Sequence, residues 1–234
     1  MTQTSVRENL LQIQERIAQA AARADRNAEE VTLIGVSKTH PASAIREAYE
    51  AGVQHFGENR VQEWEGKRAG TEGLAAAWHL IGHLQSNKTA RAARLFHSVD
   101  SVDDLAIAQR LDRARAEAGI AGRLRVLIEV RVAPEETKSG VEIAKLPPLA
   151  EKTADLPRLH LAGLMCIPPF FDEAEQVRPY FRQLRVLRDQ LTDKLGIALP
   201  VLSMGMSHDF EVAIEEGATE VRVGTALFGM RNAG

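Results

Sequence analysis

The sequence predicts one (β/α)8 TIM barrel with an additional N-terminal helix. From residue 31 onward, short runs rich in β-branched residues alternate with helical patterns, as they do when successive βα units build a parallel sheet. Eight such runs are present, which is enough to close a barrel, whereas a doubly wound open sheet usually has about five or six strands. The 234 residues and the 44% hydrophobic content suit one domain over 1–234.

The first 27 residues are expected to form a leading helix outside the barrel. Val6, Leu10, Ile13 and Ile17 recur at spacings of four, three and four, which places them on one helical face. No stretch approaches the ~18 consecutive apolar residues of a membrane span, and the N-terminus lacks the pattern of a secretory signal. We therefore expect a helix within 1–27, a barrel over 31–230 and no membrane association.

The barrel strands are predicted to be short, with helices between them. The predicted strands are 31–37, 53–57, 77–81, 96–99, 124–130, 159–165, 199–203 and 219–223. Segments 41–51, 101–118 and 174–195 carry the apolar periodicity of amphipathic helices that cover a sheet.

The net charge and the cysteine content indicate which partners and which cellular compartment to expect. Lys and Arg total 29 against 32 Asp and Glu, giving a net charge of −3, so no general attraction to nucleic acid is expected. The lone cysteine, Cys166, cannot form an internal disulfide and is ordinary in a reducing compartment. We expect a cytoplasmic protein and, without a coiled-coil pattern, a monomer.

Two weaker signals point to other classes of site. His79 and His83 are four residues apart, a spacing that suits a metal on a helix, but the pair spans a strand end and does not share a helical face. Lys88, Arg91 and Arg94 form a basic row on one predicted helix, which in a slightly acidic protein is typical of a solvated face. Neither signal predicts a metal or nucleic-acid site.

Polar and glycine-rich segments follow most of the predicted strands. In a TIM barrel the chemistry gathers at the C-terminal ends of the strands, so these segments should converge on one mouth. They span residues 37–40, 57–60, 82–88, 137–140, 165–169, 203–209 and 224–225.

The ends of the seventh and eighth predicted strands suit a phosphate group. Barrels of this kind often bind phosphate there with backbone N–H groups and a helix N-terminus. Gly205 permits a tight turn, Ser207 precedes a predicted helix 208–216, and Gly224 with Thr225 offers close backbone approach and a hydroxyl. Alternatively, Ser207 is only a helix cap and Gly224 only a turn residue. Asp209 would repel an anion unless its side chain points away.

Lys38 and Arg222 add a nucleophile and a fixed charge to this mouth. A lysine at a strand end inside a closed mouth loses its proton more readily and can then attack an aldehyde, although most lysines are solvated rim charges. Together with the phosphate loops, Lys38 indicates a phosphorylated aldehyde as ligand. Arg222 shares a strand face with Gly224, and its alternative role is an interior ion pair with Glu129.

Seven motifs lie in order along nearly the whole chain. They are GVSKTHP at 35–41, HFGENRVQE at 55–63, WHLIGHLQSNK at 78–88, KSG at 138–140, GLMCIPP at 163–169, LSMGMSHDFEVAI at 202–214 and VRVGTALFG at 221–229. In these motifs the chain resembles the pyridoxal-phosphate homeostasis protein family, whose barrel is similar to the N-terminal domain of alanine racemase.

The resemblance implies that the cofactor is pyridoxal 5'-phosphate (PLP). Lys38 would carry it as a Schiff base, and Arg222 would face the ring nitrogen. Because a guanidinium is always charged and cannot accept a proton, that ring would stay unprotonated and stabilise carbanions poorly. By the same resemblance, the cofactor-binding residues are Lys38, Asn59 near the ring, Ser207, Arg222, Gly224 and Thr225.

For cellular role, the resemblance implies a non-catalytic protein that buffers PLP or delivers it to PLP-dependent apoenzymes. The alternative is a weak amino-acid racemase. Racemisation needs a base on each side of the substrate carbon, and in alanine racemase one base is a tyrosine supplied through a dimer with a second domain. The only tyrosines here, Tyr49 and Tyr180, fall in predicted outer helices. His83 and Cys166 remain possible substitutes for that base.

Overall fold

A closed parallel barrel forms the body of the molecule, as predicted. The computed structural model describes residues 5–133 and 139–229. The barrel strands are β1 (Thr32–Val36), β2 (His55–Glu58), β3 (Ala77–Leu80), β4 (Ser98–Val102), β5 (Leu124–Arg131), β7 (Leu159–Met165), β8 (Val201–Met206) and β9 (Glu220–Val223). Around the barrel the strand order is β4-β3-β2-β1-β9-β8-β7-β5, and a β4–β5 pairing closes the ring. A two-residue strand, β6 (Val141–Glu142), pairs with β5 outside the ring.

Nine α-helices are assigned in the described ranges, most of them packed around the barrel. They are α1 (Val6–Arg23), α2 (Ala42–Ala51), α3 (Val61–Lys67), α4 (Thr89–Leu95), α5 (Leu105–Glu117), α6 (Leu146–Ala154), α7 (Arg178–Leu195), α8 (Phe210–Glu215) and α9 (Thr225–Phe228). None of these helices combines the length and the apolar character that crossing a bilayer requires.

Helix α1 is held in place by its cap and its apolar face. The Ser5 hydroxyl accepts a hydrogen bond from the Glu8 backbone N–H at 3.2 Å, and the Glu8 carboxylate accepts one from the Ser5 N–H at 2.8 Å, forming a capping box. The predicted apolar stripe is buried against α2, α8 and α9. The helix ends at Arg23 rather than near residue 27, because Asp25 adopts a left-handed φ of 54°.

The fourth strand is displaced from its predicted boundaries. It runs over Ser98–Val102 rather than 96–99, because Phe96 closes helix α4. Its second half contains Asp100 and Ser101, which are fully buried polar residues that an apolar strand pattern does not reveal. The seventh predicted strand, 199–203, is also displaced and runs from Val201 to Met206.

The barrel interior is layered along β5. Arg125, Leu127 and Glu129 alternate along the strand and therefore share its inner face. At the base, Arg125 forms a 2.5 Å ion pair with Glu220. In the middle, Leu127 packs with other apolar side chains. Glu129 lines the cavity at the C-terminal ends of the strands, so this mouth is separated from the polar base by an apolar layer.

The two histidines that suggested a metal site, His79 and His83, lie at different ends of the barrel. His79 Nδ1 lies 3.0 Å from Asp100 Oδ2, and its Nε2 lies 3.0 Å from His55 Nδ1. His83 instead lies at the mouth, with its Nδ1 3.3 Å from Asp103 Oδ2. The structure therefore does not bring His79 and His83 together as a pair of ligands.

Truncating the buried face of α1 should destabilise the barrel. Leu10 is 3% exposed, whereas its neighbour Leu11 is 61% exposed. Leu10→Ala removes buried methyl groups and should lower the free energy of unfolding by about 2–4 kcal/mol. Leu11→Ala, the matched control, should change it by no more than about 0.5 kcal/mol. Urea unfolding followed by circular dichroism measures both, and equal losses would contradict the packing described for α1.

Candidate functional site

The C-terminal ends of the strands enclose a cavity of about 480 Å³. Such a volume is within the range of small-molecule and cofactor sites. All the residues predicted for the site line this cavity, although they come from both ends of the chain. They are Lys38, Asn59, Ser207, Arg222, Gly224 and Thr225.

Lys38 lies in the turn that follows β1. The turn is closed by a 3.1 Å hydrogen bond from the His40 N–H to the Ser37 carbonyl, and Thr39 has a left-handed φ of 66°. The Lys38 side chain is half-buried and lines the cavity wall. The alternative interpretation was that Lys38 is a fully solvated lysine on the rim of the barrel, and its half-buried position in the cavity wall differs from that.

Ser207 connects the loops after β8 and β9. Its Oγ accepts hydrogen bonds from the backbone N–H groups of Gly224 and Ala226, each at 3.3 Å. Ser207 therefore does not cap a helix, which was its alternative role. The predicted helix 208–216 is also shorter than expected and ends at Glu215. Helix α8 begins at Phe210, and the residue before it, Asp209, makes no side-chain cap.

Backbone N–H groups and hydroxyls therefore converge at one corner of the cavity. Ser207, Gly224 and Thr225 line this corner, and the N–H groups of Gly224 and Ala226 both donate to Ser207 Oγ. Donors of this kind bind phosphate oxygens in many proteins. Ala226 was not singled out from the sequence, because a backbone donor carries no side-chain signal.

Gly205 and Asp209 shape the loop that carries Ser207. Gly205 has a φ of 91°, and a Cβ there would lie 2.6 Å from the Cβ of Ala213, so only glycine lets α8 pack this closely. Asp209 Oδ1 accepts a 2.6 Å hydrogen bond from the Met206 N–H. Burial raises the pKa of Asp209. The Asp209 carboxylate is thus held by a hydrogen bond within its own loop. Because its pKa is raised, it takes up a proton more readily and then repels a nearby anion less.

Arg222 is buried and fixed by two neutral partners. Its guanidinium donates to Ser203 Oγ and to the Cys166 carbonyl, both at 2.8 Å. The alternative prediction for Arg222, a direct ion pair with Glu129, is not formed. The charge of Arg222 acts on Glu129 only through space and lowers its pKa. A permanent positive charge therefore lies in the cavity wall at a defined position.

Glu129 is the one buried acid of this cavity whose proton affinity is strongly altered. Burial, followed by the charge of Asp103, raises its pKa to about 7, against the opposing effect of Arg222. The sequence suggested Glu129 only as a partner for Arg222. Near neutral pH this carboxyl group is therefore divided between its protonated and ionised forms.

His83, Phe170 and Ile167 form the outer part of the cavity. His83 is held near Asp103, at 3.3 Å between Nδ1 and Oδ2, and keeps 55% of its side chain exposed. Phe170 is 73% exposed, and its ring lies 5.3 Å from that of His208. Ser139 also lines the cavity. Thr137 and Lys138, which the sequence placed at the fifth strand end, lie outside the described residues.

A second cavity, of about 890 Å³, lies at the opposite end of the barrel. Its walls include Trp64, Trp78, Arg94 and His97. It contains none of the predicted site residues. Since the reactive amine and the cluster of N–H donors both lie at the mouth, the smaller cavity is the better candidate for the functional site.

Comparison with known proteins places the chain among PLP-related proteins. The family described as alanine racemase, N-terminal domain, matches residues 9–232. The pyridoxal phosphate homeostasis protein of Aquifex aeolicus is 48% identical over 224 residues, covering 96% of this chain and 97% of the relative.

Solved structures show the same barrel. PipY from Synechococcus elongatus PCC7942, solved with PLP bound, is 42% identical with a TM-score of 0.82, covering 93% of this chain and 100% of PipY. Alanine racemase from Corynebacterium glutamicum shares the fold at 18% identity, with a TM-score of 0.72. The match covers 97% of this chain but 60% of the racemase.

The raised pKa of Glu129 predicts a dependence of stability on pH. Because the folded pKa of about 7 exceeds the ordinary value of 4.5, the folded state binds more protons than the unfolded state between these values. Stability contributed by this group should therefore fall as the pH rises from about 4.5 to about 7. Glu129→Gln should reduce this fall.

Thermal unfolding of the cofactor-free protein across this pH range tests the prediction. Glu117→Gln, an exchange of an exposed glutamate on α5, is the matched control and should leave the pH dependence of Tm unchanged. Parallel curves for wild type and Glu129→Gln would show that burial does not alter the proton affinity of Glu129.

Proposed function

The chain belongs to the pyridoxal phosphate homeostasis protein family, and we propose that it holds PLP in the mouth cavity as a Schiff base on Lys38, for buffering or delivery of the cofactor. The observation that carries this proposal is the composition of one cavity. A half-buried amine, a buried guanidinium and a cluster of backbone N–H groups line the same 480 Å³ space. The bound PLP of PipY supports the choice of ligand.

The phosphate end would be held by the loops after β8 and β9. Ser207, Gly224 and Thr225 are the proposed ligands, and a phosphate oxygen would replace Ser207 Oγ as the acceptor of the Gly224 and Ala226 N–H groups. Hydrogen bonds to a charged group are roughly twice as strong as neutral ones. Because these donors come largely from the backbone, their positions depend on the barrel ends rather than on flexible side chains.

The ring end would be held by Arg222 and Asn59. When bound, PLP supplies an aldehyde for linkage to an amine and a ring that withdraws electrons best when its nitrogen is protonated. Arg222, whose position is set by Ser203 and Cys166, only donates hydrogen bonds and would disfavour a protonated, positively charged ring nitrogen beside it. The residues around the ring thus favour holding the cofactor over carbanion chemistry.

Lys38 is the proposed point of covalent attachment. An amine attacks an aldehyde in its neutral form, and the half-buried Lys38 side chain lines the cavity in which the aldehyde would lie.

The position of the candidate bases supports a role without catalysis. Tyr49 lies on α2 and Tyr180 on α7, and neither lines the cavity. Burial raises the pKa of Cys166 to about 12, so its thiol does not serve as a base near neutral pH. Only His83, oriented by Asp103, offers a base at the cavity among the substitutes considered. The racemase alternative therefore rests on His83.

We further propose that the chain acts in the cytoplasm as a one-domain monomer and passes PLP to PLP-dependent apoenzymes. The lone buried cysteine suits a reducing compartment. The strongly exposed large apolar side chains among the described residues are few: Leu11, Ile167, Phe170 and Val186. Two of them, Ile167 and Phe170, flank the mouth, where an acceptor would approach.

Lys38→Ala should abolish covalent attachment of PLP. After incubation with PLP and reduction with borohydride, mass spectrometry of the wild type should locate one phosphopyridoxyl group on Lys38, because this amine lines the cavity. The variant should carry none at the site and should lose the visible absorption of the linked cofactor. Lys152→Ala, at an exposed lysine of α6, is the control. Retention of site labelling in Lys38→Ala would refute the assignment.

Deuterium exchange at the α-carbon of alanine separates a carrier from a racemase. With PLP-loaded protein in D2O, we expect exchange no faster than with free PLP, because Arg222 disfavours a protonated ring. NMR of the alanine α-proton gives the rate. Faster exchange that His83→Ala removes would establish the racemase alternative.

A further inference from the structure

We propose that Lys67, acting through Glu58 and Glu63, is a positioning residue that clamps the turn carrying Lys38. What the clamp achieves for PLP rests on the proposed function, whereas its hold on the turn is a property of the protein alone. Lys67 ends α3, and the side chains of Glu58 and Glu63 come from β2 and α3.

The ammonium of Lys67 is fully engaged by acceptors from three segments. Its Nζ donates to the Ser37 carbonyl at 2.8 Å, to Glu58 Oε1 at 2.9 Å and to Glu63 Oε1 at 2.8 Å. An ammonium has three hydrogens to donate, and the Lys67 side chain is only 12% exposed. Lys67 is therefore committed to these contacts.

The clamp holds the chain on both sides of Lys38. Before it, the Ser37 carbonyl binds Lys67, and the Ser37 hydroxyl donates to Glu58 Oε1 at 2.7 Å. After it, the Thr39 backbone N–H donates to the Glu63 carboxylate. Two flanking residues that are tied to one ion cluster leave the backbone of Lys38 little freedom to move.

The conformation of the turn requires such support. Thr39 has a φ of 66°, a left-handed conformation that is costly for a β-branched residue. Conformations of this kind persist where the surrounding contacts determine them, and they cluster at functional sites. Here the contact that holds Thr39 is the Glu63 carboxylate, which is in turn fixed by Lys67.

The same cluster also lies next to Asn59, the second predicted cofactor-binding residue, because Glu58 directly precedes it in the chain. Glu58 is the last residue of β2, directly before Asn59, and its side chain is 0% exposed. Burial raises the pKa of Glu58, so without the Lys67 charge its carboxylate would be protonated or rehydrated. Either change would loosen the backbone of Asn59 together with the Lys38 turn. The clamp thus sets the relative positions of two strand ends.

Hydrogen exchange in the cofactor-free protein tests the hold on the turn. Lys67→Met removes the donors, Glu63→Ala removes the acceptor of Thr39, and Glu63→Gln keeps an acceptor oxygen without the charge. In the peptide containing residues 37–40, amide exchange should be about tenfold faster in Lys67→Met and Glu63→Ala than in wild type, which corresponds to one lost charged hydrogen bond. Glu63→Gln should recover most of the protection, and exchange in β7 should not change.

The consequence for PLP is measured as the fraction of bound cofactor that borohydride fixes to Lys38. At equal total binding, this fraction should fall in Lys67→Met and Glu63→Ala and stay near the wild-type value in Glu63→Gln. Lys194→Met, at an exposed lysine of α7, is the control. If Lys67→Met does not fold, Glu63→Ala decides, since that side chain is partly exposed.

The outcomes distinguish the clamp from the proposed function. Unchanged exchange at 37–40 in both clamp variants would overturn the clamp. Faster exchange with a wild-type fraction of fixed cofactor would overturn the role of the clamp in positioning Lys38 for PLP. If wild-type protein itself carries no phosphopyridoxyl group on Lys38, the proposed function fails, while the exchange rates still decide whether Lys67 holds the turn.

Discussion

The pairing of β4 with β5 is the constraint on which the site depends, because it closes the sheet into a ring. All the barrel pairs are parallel, so closure brings every C-terminal strand end to one rim. Lys38 after β1 and Gly224 after β9 meet there because β1 and β9 are neighbours. Closure also brings Glu129 on β5 round to the side of Asn59 and Gly82, which follow β2 and β3, so the cavity has a complete wall only in the closed barrel.

Inside this ring, the buried charges form two groups at different levels along the barrel axis, one at the base and one at the mouth. Arg125 and Glu220 neutralise each other at the base, and Leu127 separates them from Glu129 and Arg222 at the mouth. Buried charges are costly unless they are paired or hydrogen-bonded. The base pairs the Arg125 guanidinium with the Glu220 carboxylate, whereas the mouth keeps a guanidinium held by neutral oxygens and a carboxyl group of raised pKa. That asymmetry makes the mouth receptive to an anionic ligand.

The groups around the mouth are mostly held in place by other groups. Arg222 is fixed by neutral oxygens, Asp209 by a backbone N–H, and the Lys67 ammonium by three acceptors. The Cys166 thiol is unreactive because burial raises its pKa. Lys38 is the amine that this arrangement presents to the cavity. This arrangement agrees with the pyridoxal phosphate homeostasis family to which the chain belongs.

The sequence by itself determined the barrel, the leading helix and the residues of the mouth, because apolar periodicity and the order of strand ends are local properties of the chain. It misplaced β4, since Asp100 and Ser101 are polar residues buried by distant partners. Only the tertiary structure decided that Ser207 accepts from Gly224 and Ala226 rather than capping a helix. It also decided which charges meet around Lys38, because hydrogen-bond partners and burial depend on residues far apart in sequence.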